Sequence, residues 1–207
     1  MKQAFDIFLT FFVVIDPIGL VPMFAALTAG ASTDFRRQMA WRGVAIAAGV
    51  LLFFVFVGFG VLRVLGIGIP AFRIAGGILL LLLAIDMVFA RHSGMRSTTE
   101  REANEARGRD DISVFPLAIP LIAGPGAMTS LLLMMSPATK TAHVALVLGL
   151  LFLVLGITLV VLLSTVRILQ VMGETGANVV TRLLGVLLTA LAVQFILTGL
   201  QTGLTYH

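Results

Sequence analysis

The sequence lacks cysteine and is poor in charged residues. None of its 207 residues is Cys, and Asp, Glu, Lys and Arg make up 12%, about half of the roughly 25% typical of soluble domains. The absence of cysteine excludes disulfides, thiolate nucleophiles and thiolate-bound zinc. The three histidines, His92, His143 and His207, lie too far apart in sequence to form a ligand-spaced cluster. We therefore expect neither a metal site nor a cofactor.

The chain contains several long apolar segments. Hydrophobic residues make up 59% of the chain, and a helix needs roughly 20 of them in succession to cross a bilayer. Continuous Leu, Val and Phe segments do not show the polar alternation of a membrane β-barrel. The pattern predicts an all-α membrane protein with six transmembrane helices, at residues 7–31, 43–62, 69–90, 112–137, 141–166 and 183–205. We expect the first segment to be a membrane helix rather than a cleaved signal peptide, because it is too long.

The basic residues predict the orientation of these helices. The net charge of +4 comes from residues in the loops, where they orient a membrane protein and do not indicate a nucleic-acid partner. Ten of the 14 Lys and Arg residues follow the first, third and fifth predicted helices. Because cytoplasmic loops carry the excess of Lys and Arg, these loops are predicted to be cytoplasmic, with both termini outside.

One hydrophilic segment, residues 91–111, divides the chain into two halves. It contains five arginines among five acidic residues and has too few apolar residues to form a core, so we expect a solvated linker. The predicted organisation is a three-helix repeat at 1–90, a cytoplasmic linker at 91–111 and a second three-helix repeat at 112–207.

The two halves resemble each other locally. The segment that begins Phe72-Arg73 and the segment that begins Thr181-Arg182 both have a glycine three positions after the arginine. The distance from Pro17 to Arg73 is 56 residues, and from Pro125 to Arg182 it is 57. Because each repeat has an odd number of helices, the second would enter the membrane from the opposite face, as in several secondary transporters.

Proline and glycine interrupt the first and fourth predicted helices at corresponding places. The first interruption contains Pro17, Gly19 and Pro22, and the second contains Gly124, Pro125 and Gly126. Proline removes a backbone donor and glycine permits unusual backbone angles. Non-helical backbone at membrane depth is tolerated only where it is buried or lines a cavity. The pattern predicts two helices broken near mid-membrane that form a binding site, although two simple kinks are the structural alternative.

Four polar side chains within the predicted helices are candidates for function, and one of them, Asp86, lies near the cytoplasmic end of the third helix. Asp16 is the sole charged residue of the first apolar segment; it is predicted to bind an amino group, Na⁺ or a proton, or to cap a helix. Asp86 is interpreted either as a gate or proton relay or as an interfacial acid paired with Arg91. Thr129 and Ser130 closely follow Gly126 and are predicted to contribute hydroxyls to the site.

Several motifs resemble those of the MarC family of bacterial inner-membrane proteins. They are Asp16-Pro17-Ile18-Gly19, the segment 72–78 (FRIAGGI), the segment 84–87 (AIDM) and the segment 115–126 (FPLAIPLIAGPG). The resemblance covers nearly the whole chain, including the middle loop. It implies a multi-pass plasma-membrane protein. Some members of the family are described as transporters of small neutral amino acids such as glycine and alanine.

Together these observations predict a secondary transporter of small neutral amino acids that works by alternating access between its repeats. No phosphate-binding Gly-rich loop with Lys and Ser/Thr is present, so a gradient of H⁺ or Na⁺ is expected to supply the energy. Residues 16–20 and 123–127 would form the site. One alternative is a non-transporting structural or regulatory membrane protein. Another is an intramembrane aspartyl protease built on Asp16 and Asp86, which the motifs do not favour, and we predict that the protein is not an enzyme.

Overall fold

The computed structural model describes residues 2–89, 111–135 and 141–205, where all regular secondary structure is helical and no strand occurs. The all-α prediction is confirmed for this part of the chain. The predicted linker, apart from Asp111, lies outside the described residues. The helices are α1 (Lys2–Ile15), α2 (Leu20–Leu27), α3 (Thr33–Val64), α4 (Ile69–Phe89), α5 (Pro125–Met134), α6 (Thr141–Leu163) and α7 (Thr165–Leu204), with a π-helical segment at Ser113–Ile122.

Five helical stretches among the described residues are long and apolar enough to cross a membrane. They are Lys2–Leu27, which joins α1 and α2, then α3, α4, α6 and α7. The π-helical segment and α5 form a sixth if they are taken together, and they meet at a bend of 55°. The prediction of a multi-pass membrane protein is therefore confirmed at the level of five to six candidate crossings.

Two helices extend well beyond the apolar segments that predicted them. Helix α3 begins at Thr33, where Ser32 Oγ accepts a hydrogen bond from Phe35 N at 3.2 Å, as expected of an N-cap serine. Helix α7 begins at Thr165, with an internal interruption at Gly173, where φ is +65°. Both extensions are polar, and hydropathy detects burial in lipid rather than helicity, so the predicted starts at 43 and 183 were late.

Glycines bring α4 and α7 into close antiparallel contact. A Cβ added at Gly199 would lie 3.0 Å from Pro70 O, at the start of α4. One added at Gly185 would lie 3.1 Å from Val88 N, at the end of α4. Residues late in α4 therefore contact residues earlier in α7, which is an antiparallel arrangement. Small residues allow this backbone approach, which is typical of membrane helix packing.

A second pair of glycines aligns α3 with the π-helical segment and α5. The Cα of Gly43 faces the Leu117 side chain closely enough that an added Cβ would collide with it. Fifteen residues later, a Cβ added at Gly58 would lie 2.8 Å from Leu132 Cδ1. The partner residue also advances by fifteen, so the two stretches run in the same direction. The bend of 55° does not turn the chain back on itself.

Candidate functional site

The first interruption is a buried turn that Asp16 organises. Helix α1 ends at Ile15, and Asp16 has a φ of +48°, a left-handed conformation that few residues other than glycine adopt. Asp16 Oδ1 accepts a hydrogen bond from Gly19 N at 3.1 Å, and Asp16 O accepts one from Leu20 N at 3.2 Å. Asp16 is 1% exposed. Its side chain therefore holds the turn between α1 and α2, whereas the N-cap residue of α2 is Gly19, without a side-chain cap.

Gly19 is enclosed by oxygen atoms from two different helices. An added Cβ would collide with Asp16 Oδ2, and it would lie 2.7 Å from Thr181 Oγ1 of α7. Thr181 Oγ1 is buried and forms no hydrogen bond within the described part of the chain. Thr181 was not among the predicted site residues, although it is the first residue of the segment 181–189, which resembles the segment 72–80. An intrahelical hydrogen bond to the backbone is the usual role of a membrane threonine, and Thr181 Oγ1 does not form one.

The second interruption is built differently. The π-helical segment contains Pro116 and Pro120, each preceded by a cis peptide bond. Proline has no N–H for the usual bond to the fourth preceding residue, and wider turns replace that pattern here, as in the bond from Ala123 N to Ala118 O at 2.8 Å. Gly124 is extended, with ψ at 171°. Phe115 and Ile119 also have extended backbone, so the interruption reaches from 115 to 124 and begins before the predicted residues 124–126.

Helix α5 begins within the predicted interruption. Pro125 and Gly126 are its first two residues, and proline is favoured there because its missing N–H has no helical partner anyway. A Cβ added at Gly126 would lie 3.4 Å from Val14 Cγ1, near the end of α1, and 3.2 Å from Leu83 Cδ2 of α4. The end of α1, just before the first interruption, therefore lies against the start of α5, and α4 packs beside both.

The space between the second interruption and the end of α1 is very small. It has a volume of about 10 Å³ and is lined by Val14, Leu83, Ile122, Gly124, Pro125, Gly126 and Ala127. This is close to the minimum that holds one water molecule. A bound amino acid does not fit in this space.

Thr129 and Ser130 differ in what their side chains contact. The Thr129 methyl group packs over the Cα of Gly76 so closely that a Cβ on that glycine would collide with it. Thr129 therefore has a clear packing role against α4. Ser130 is fully buried, and its Oγ forms no hydrogen bond within the described residues. An unsatisfied buried hydroxyl costs free energy, so Ser130 is the stronger of the two candidates.

Asp86 lies three residues before the end of α4, where this helix packs against α7. It is half-buried, and its neighbours Met87 and Val88 pack on Gly185. Gly185 is one helical turn after Thr181, which faces Asp16 and Gly19. The predicted partner Arg91 lies outside the described residues. Among the described residues, no three His, Asp or Glu side chains converge as a metal site would require.

A polar junction marks the start of the π-helical segment. Asp111 Oδ1 accepts hydrogen bonds from Ser113 Oγ at 2.5 Å and Ser113 N at 2.8 Å. Asp111 Oδ2 accepts one from Arg42 Nη1 at 3.2 Å. These Ser113 hydrogen bonds, assisted by Arg42, lower the pKa of Asp111. The junction ties the beginning of the second half to α3.

Comparison with known proteins gives a consistent result over the whole chain. Residues 1–204 match the model described as MarC family integral membrane protein. A UPF0056 membrane protein of Methanocaldococcus jannaschii is 39% identical over 197 residues, which cover 95% of each chain. The UPF0056 membrane protein YvbG of Bacillus subtilis is 33% identical over 94% of this chain and 92% of its own.

A relative from a Gram-negative bacterium agrees with these two. The UPF0056 membrane protein YhcE of Escherichia coli is 32% identical over 95% of this chain and 91% of its own. No solved structure matches the chain. The family model covers nearly every residue, including both interruptions. The names of the three relatives describe membrane proteins. The chain therefore belongs to the MarC family of integral membrane proteins.

Proposed function

We propose that the protein is a secondary transporter of small neutral amino acids such as glycine or alanine in the bacterial inner membrane. The observation that carries the proposal is the meeting of two interrupted helices inside the apolar core, with Val14 against Gly126. Broken helices of this kind leave backbone N–H and C=O groups available, and transporters use them to bind substrate and ions. A structural kink gives no reason for two interruptions to meet.

The proposal includes six membrane crossings. The π-helical segment and α5 follow α3 in one direction over fifteen residues, which supports a single bent crossing rather than a re-entrant loop. The antiparallel pairing of α4 with α7 agrees with two crossings between them, the bent one and α6. With six crossings, both termini lie on the side opposite the arginine-rich loops, which by the positive-inside rule is the outside.

Two inverted repeats are also part of the proposal, and the helix contacts support them. In the first half, α1 contacts α6 and α2 contacts α7. In the second half, the π-helical segment contacts α3 and α5 contacts α4. When α1 is exchanged with the π-helical segment, α2 with α5, α3 with α6 and α4 with α7, the two contacts of the first half become the two contacts of the second. This is the pattern expected of a pseudo-two-fold relation, and alternating access would move one repeat against the other.

The residues of the first interruption would carry the charge of the site. Asp16 would bind the substrate amino group, a proton or Na⁺, with Pro17 and Gly19 keeping the surrounding backbone non-helical. On the other side, Gly124, Pro125 and Gly126 would offer backbone groups, and Thr129 and Ser130 would offer hydroxyls. Asp86 would act as a gate or relay beside the same stretch of α7. No part of this proposal requires catalysis, and we do not propose an enzyme.

The small space at the second interruption indicates which step of the proposed transport cycle this conformation represents. A volume of about 10 Å³ excludes an amino acid, so substrate binding requires the repeats to separate. We therefore interpret this conformation as a closed one.

The test is transport in proteoliposomes. Purified protein is reconstituted, and uptake of labelled glycine or alanine is followed under imposed proton or sodium gradients. Asp16→Asn keeps a side-chain acceptor for Gly19 N but loses the charge, so we expect uptake to fall by about tenfold or more, as for the loss of one charged hydrogen bond. Asp6→Asn is the matched control, because Asp6 is an exposed acid on the same helix. Equal uptake by Asp16→Asn and wild type across pH would contradict the role of Asp16.

A non-transporting structural or regulatory role is the second candidate. The tight packing between the second interruption and the end of α1 favours it, because a permanently filled core requires no substrate. Folded protein that moves neither amino acid under either gradient, in either direction, would favour this alternative over transport.

A further inference from the structure

We propose that a pocket on the arginine-rich face binds the headgroup of an anionic phospholipid. The pocket has a volume of about 290 Å³ and lies where α2, the start of α3 and the junction of α6 with α7 meet. It is separate from the small space between the second interruption and the end of α1. Its lining consists of Phe24, Thr33, Arg36, Arg37, Leu162, Leu163, Thr165 and Val166.

Two neighbouring guanidinium groups make this pocket strongly positive. Arg36 is half-buried, and its Nε donates a hydrogen bond to Thr28 O at 3.3 Å. This bond holds the side chain at the pocket while leaving its terminal nitrogens for other partners. Neither Arg36 nor Arg37 forms an ion pair within the described part of the chain. The nearest acid in sequence is Asp34, an exposed residue in the first turn of α3.

The position of the arginines on α3 adds to the positive potential. The pocket includes Thr33, the first residue of α3, where the helix dipole favours negative charge. Arginine binds phosphate oxygens through two parallel N–H groups, and its charge persists at every physiological pH. The chemistry therefore fits a phosphate group. A neutral amino acid offers a single carboxylate and adds its own ammonium, which two adjacent arginines repel.

The apolar half of the lining selects a lipid rather than a soluble phosphate. Leu163 is 44% exposed and Val166 is 48% exposed, and both belong to helices that are apolar enough to face the membrane. A soluble phosphate compound would gain nothing from these side chains. A phospholipid would place its acyl chains against them and its phosphate on Arg36 and Arg37. Basic pockets between membrane helices beside the headgroup region bind anionic lipids in this way.

The test measures lipid-dependent thermal stability of the detergent-solubilised full chain. Titrations with dioleoylphosphatidylglycerol, dioleoylphosphatidylcholine and inorganic phosphate separate the contributions of charge and acyl chain. We expect the phosphatidylglycerol lipid to raise the melting temperature with a saturable dependence, and the other two to leave it nearly unchanged. Equal stabilisation by the phosphatidylcholine lipid, or full stabilisation by inorganic phosphate, would overturn the lipid proposal.

Substitutions then locate the effect. Arg37→Gln removes a side chain for which the described residues provide no hydrogen bond, so its fold should be preserved. We expect apparent affinity for the phosphatidylglycerol lipid to fall about fivefold, and about 25-fold in Arg36→Gln/Arg37→Gln, from the contribution of each basic residue near an anionic surface. Arg63→Gln is the control, because Arg63 is an exposed arginine at the other end of α3. Unchanged affinity in Arg37→Gln, or an equal loss in Arg63→Gln, would contradict this site.

Discussion

The two interruptions share a pattern of proline and glycine but differ in their chemistry. In the first, a charged side chain organises the backbone: Asp16 adopts a left-handed conformation and accepts the amide of Gly19. In the second, no acid is present, and π-helical turns lead into the extended Gly124. Similar breaks in a helix can therefore be stabilised by a side-chain hydrogen bond or by an altered backbone hydrogen-bond pattern.

Each interruption has a close contact between a glycine and a threonine, but the two residue types are on opposite partners in the two contacts. In the first, the glycine is on the broken helix, and Thr181 of α7 approaches it. In the second, the threonine is on the broken helix, and Thr129 approaches Gly76 of α4. The first pair presents a hydroxyl oxygen to the contact and the second presents a methyl group. The first interruption is consequently polar where the second is apolar.

The largest expected effect is on the glycines at the interruptions. Gly19→Ala would drive a methyl group into Asp16 and Thr181, and Gly124→Ala would place one 2.6 Å from Pro120 O. Overpacking of this kind costs about 1–3 kcal/mol, so we expect both variants to melt well below wild type in detergent. Gly49→Ala is the control, since nothing lies within 4 Å of its added Cβ. Wild-type melting of Gly19→Ala would show that the first interruption is more adaptable than its packing indicates.

The next effect tests the contact between Thr129 and Gly76. Gly76→Ala should destabilise by about 1–3 kcal/mol for the same steric reason. Thr129→Ser removes the methyl group that the new Cβ would meet, and the double variant should recover much of the loss. Thermal melting of both single variants and the double variant gives the coupling energy. Additive losses in the double variant would mean that the two residues do not share this contact.

A smaller effect separates function from packing at the two buried hydroxyls. Ser130 Oγ and Thr181 Oγ1 form no hydrogen bond within the described residues, and an unsatisfied polar group costs about 1–3 kcal/mol. Ser130→Ala and Thr181→Val should therefore melt at or above the wild-type temperature, yet lose uptake if the hydroxyls contact substrate or ion. Thr158→Val is the control, because Thr158 Oγ1 donates to Val154 O at 2.8 Å. Unchanged uptake in both variants would remove these hydroxyls from the proposed site.

The smallest effect concerns the start of the second half. Because the pKa of Asp111 is lowered by Ser113 and Arg42, its ionised form stabilises the fold above the ordinary aspartate pKa near 3.8. This contribution is lost as the pH falls through the lowered pKa. Asp111→Asn should cost at most about 1 kcal/mol at pH 7, since the ion pair is half-exposed. The difference from wild type should shrink when melting is repeated below pH 3, and a difference that stays constant would contradict this role of the Asp111 charge.

Much of the fold followed from apolar periodicity and length. The segment that predicted the third helix at 69–90 agrees with α4 at Ile69–Phe89, because its apolar and helical limits coincide. The prediction was poorer for α7, whose polar first turns are helical from Thr165. Hydropathy gives little signal for helical turns that carry charged residues such as Arg167 and Glu174. The π-helical turns around Pro116 and Pro120 were likewise unpredicted, since proline indicates a disruption without specifying the hydrogen bonds that replace the helix.

The candidate site was predicted in part. The interruption at Asp16 was located from Pro17 and Gly19, because these residue types disfavour helix wherever they occur. Thr181 was missed, since its importance depends on a neighbour 162 positions earlier in the chain, Gly19. The binding roles of Asp16 and Asp86 stay predictions.

Sequence alone determined that this protein is helical, that it belongs in a membrane and where its first helix breaks. Each of these properties depends on the local composition of a segment, and lipid leaves few options for an apolar chain. Tertiary structure decided which hydroxyls face the interruptions, how closely α4 approaches α7 and how little space remains between Val14 and Gly126. Those properties depend on contacts between residues far apart in the chain, and local composition carries no information about distances between helices.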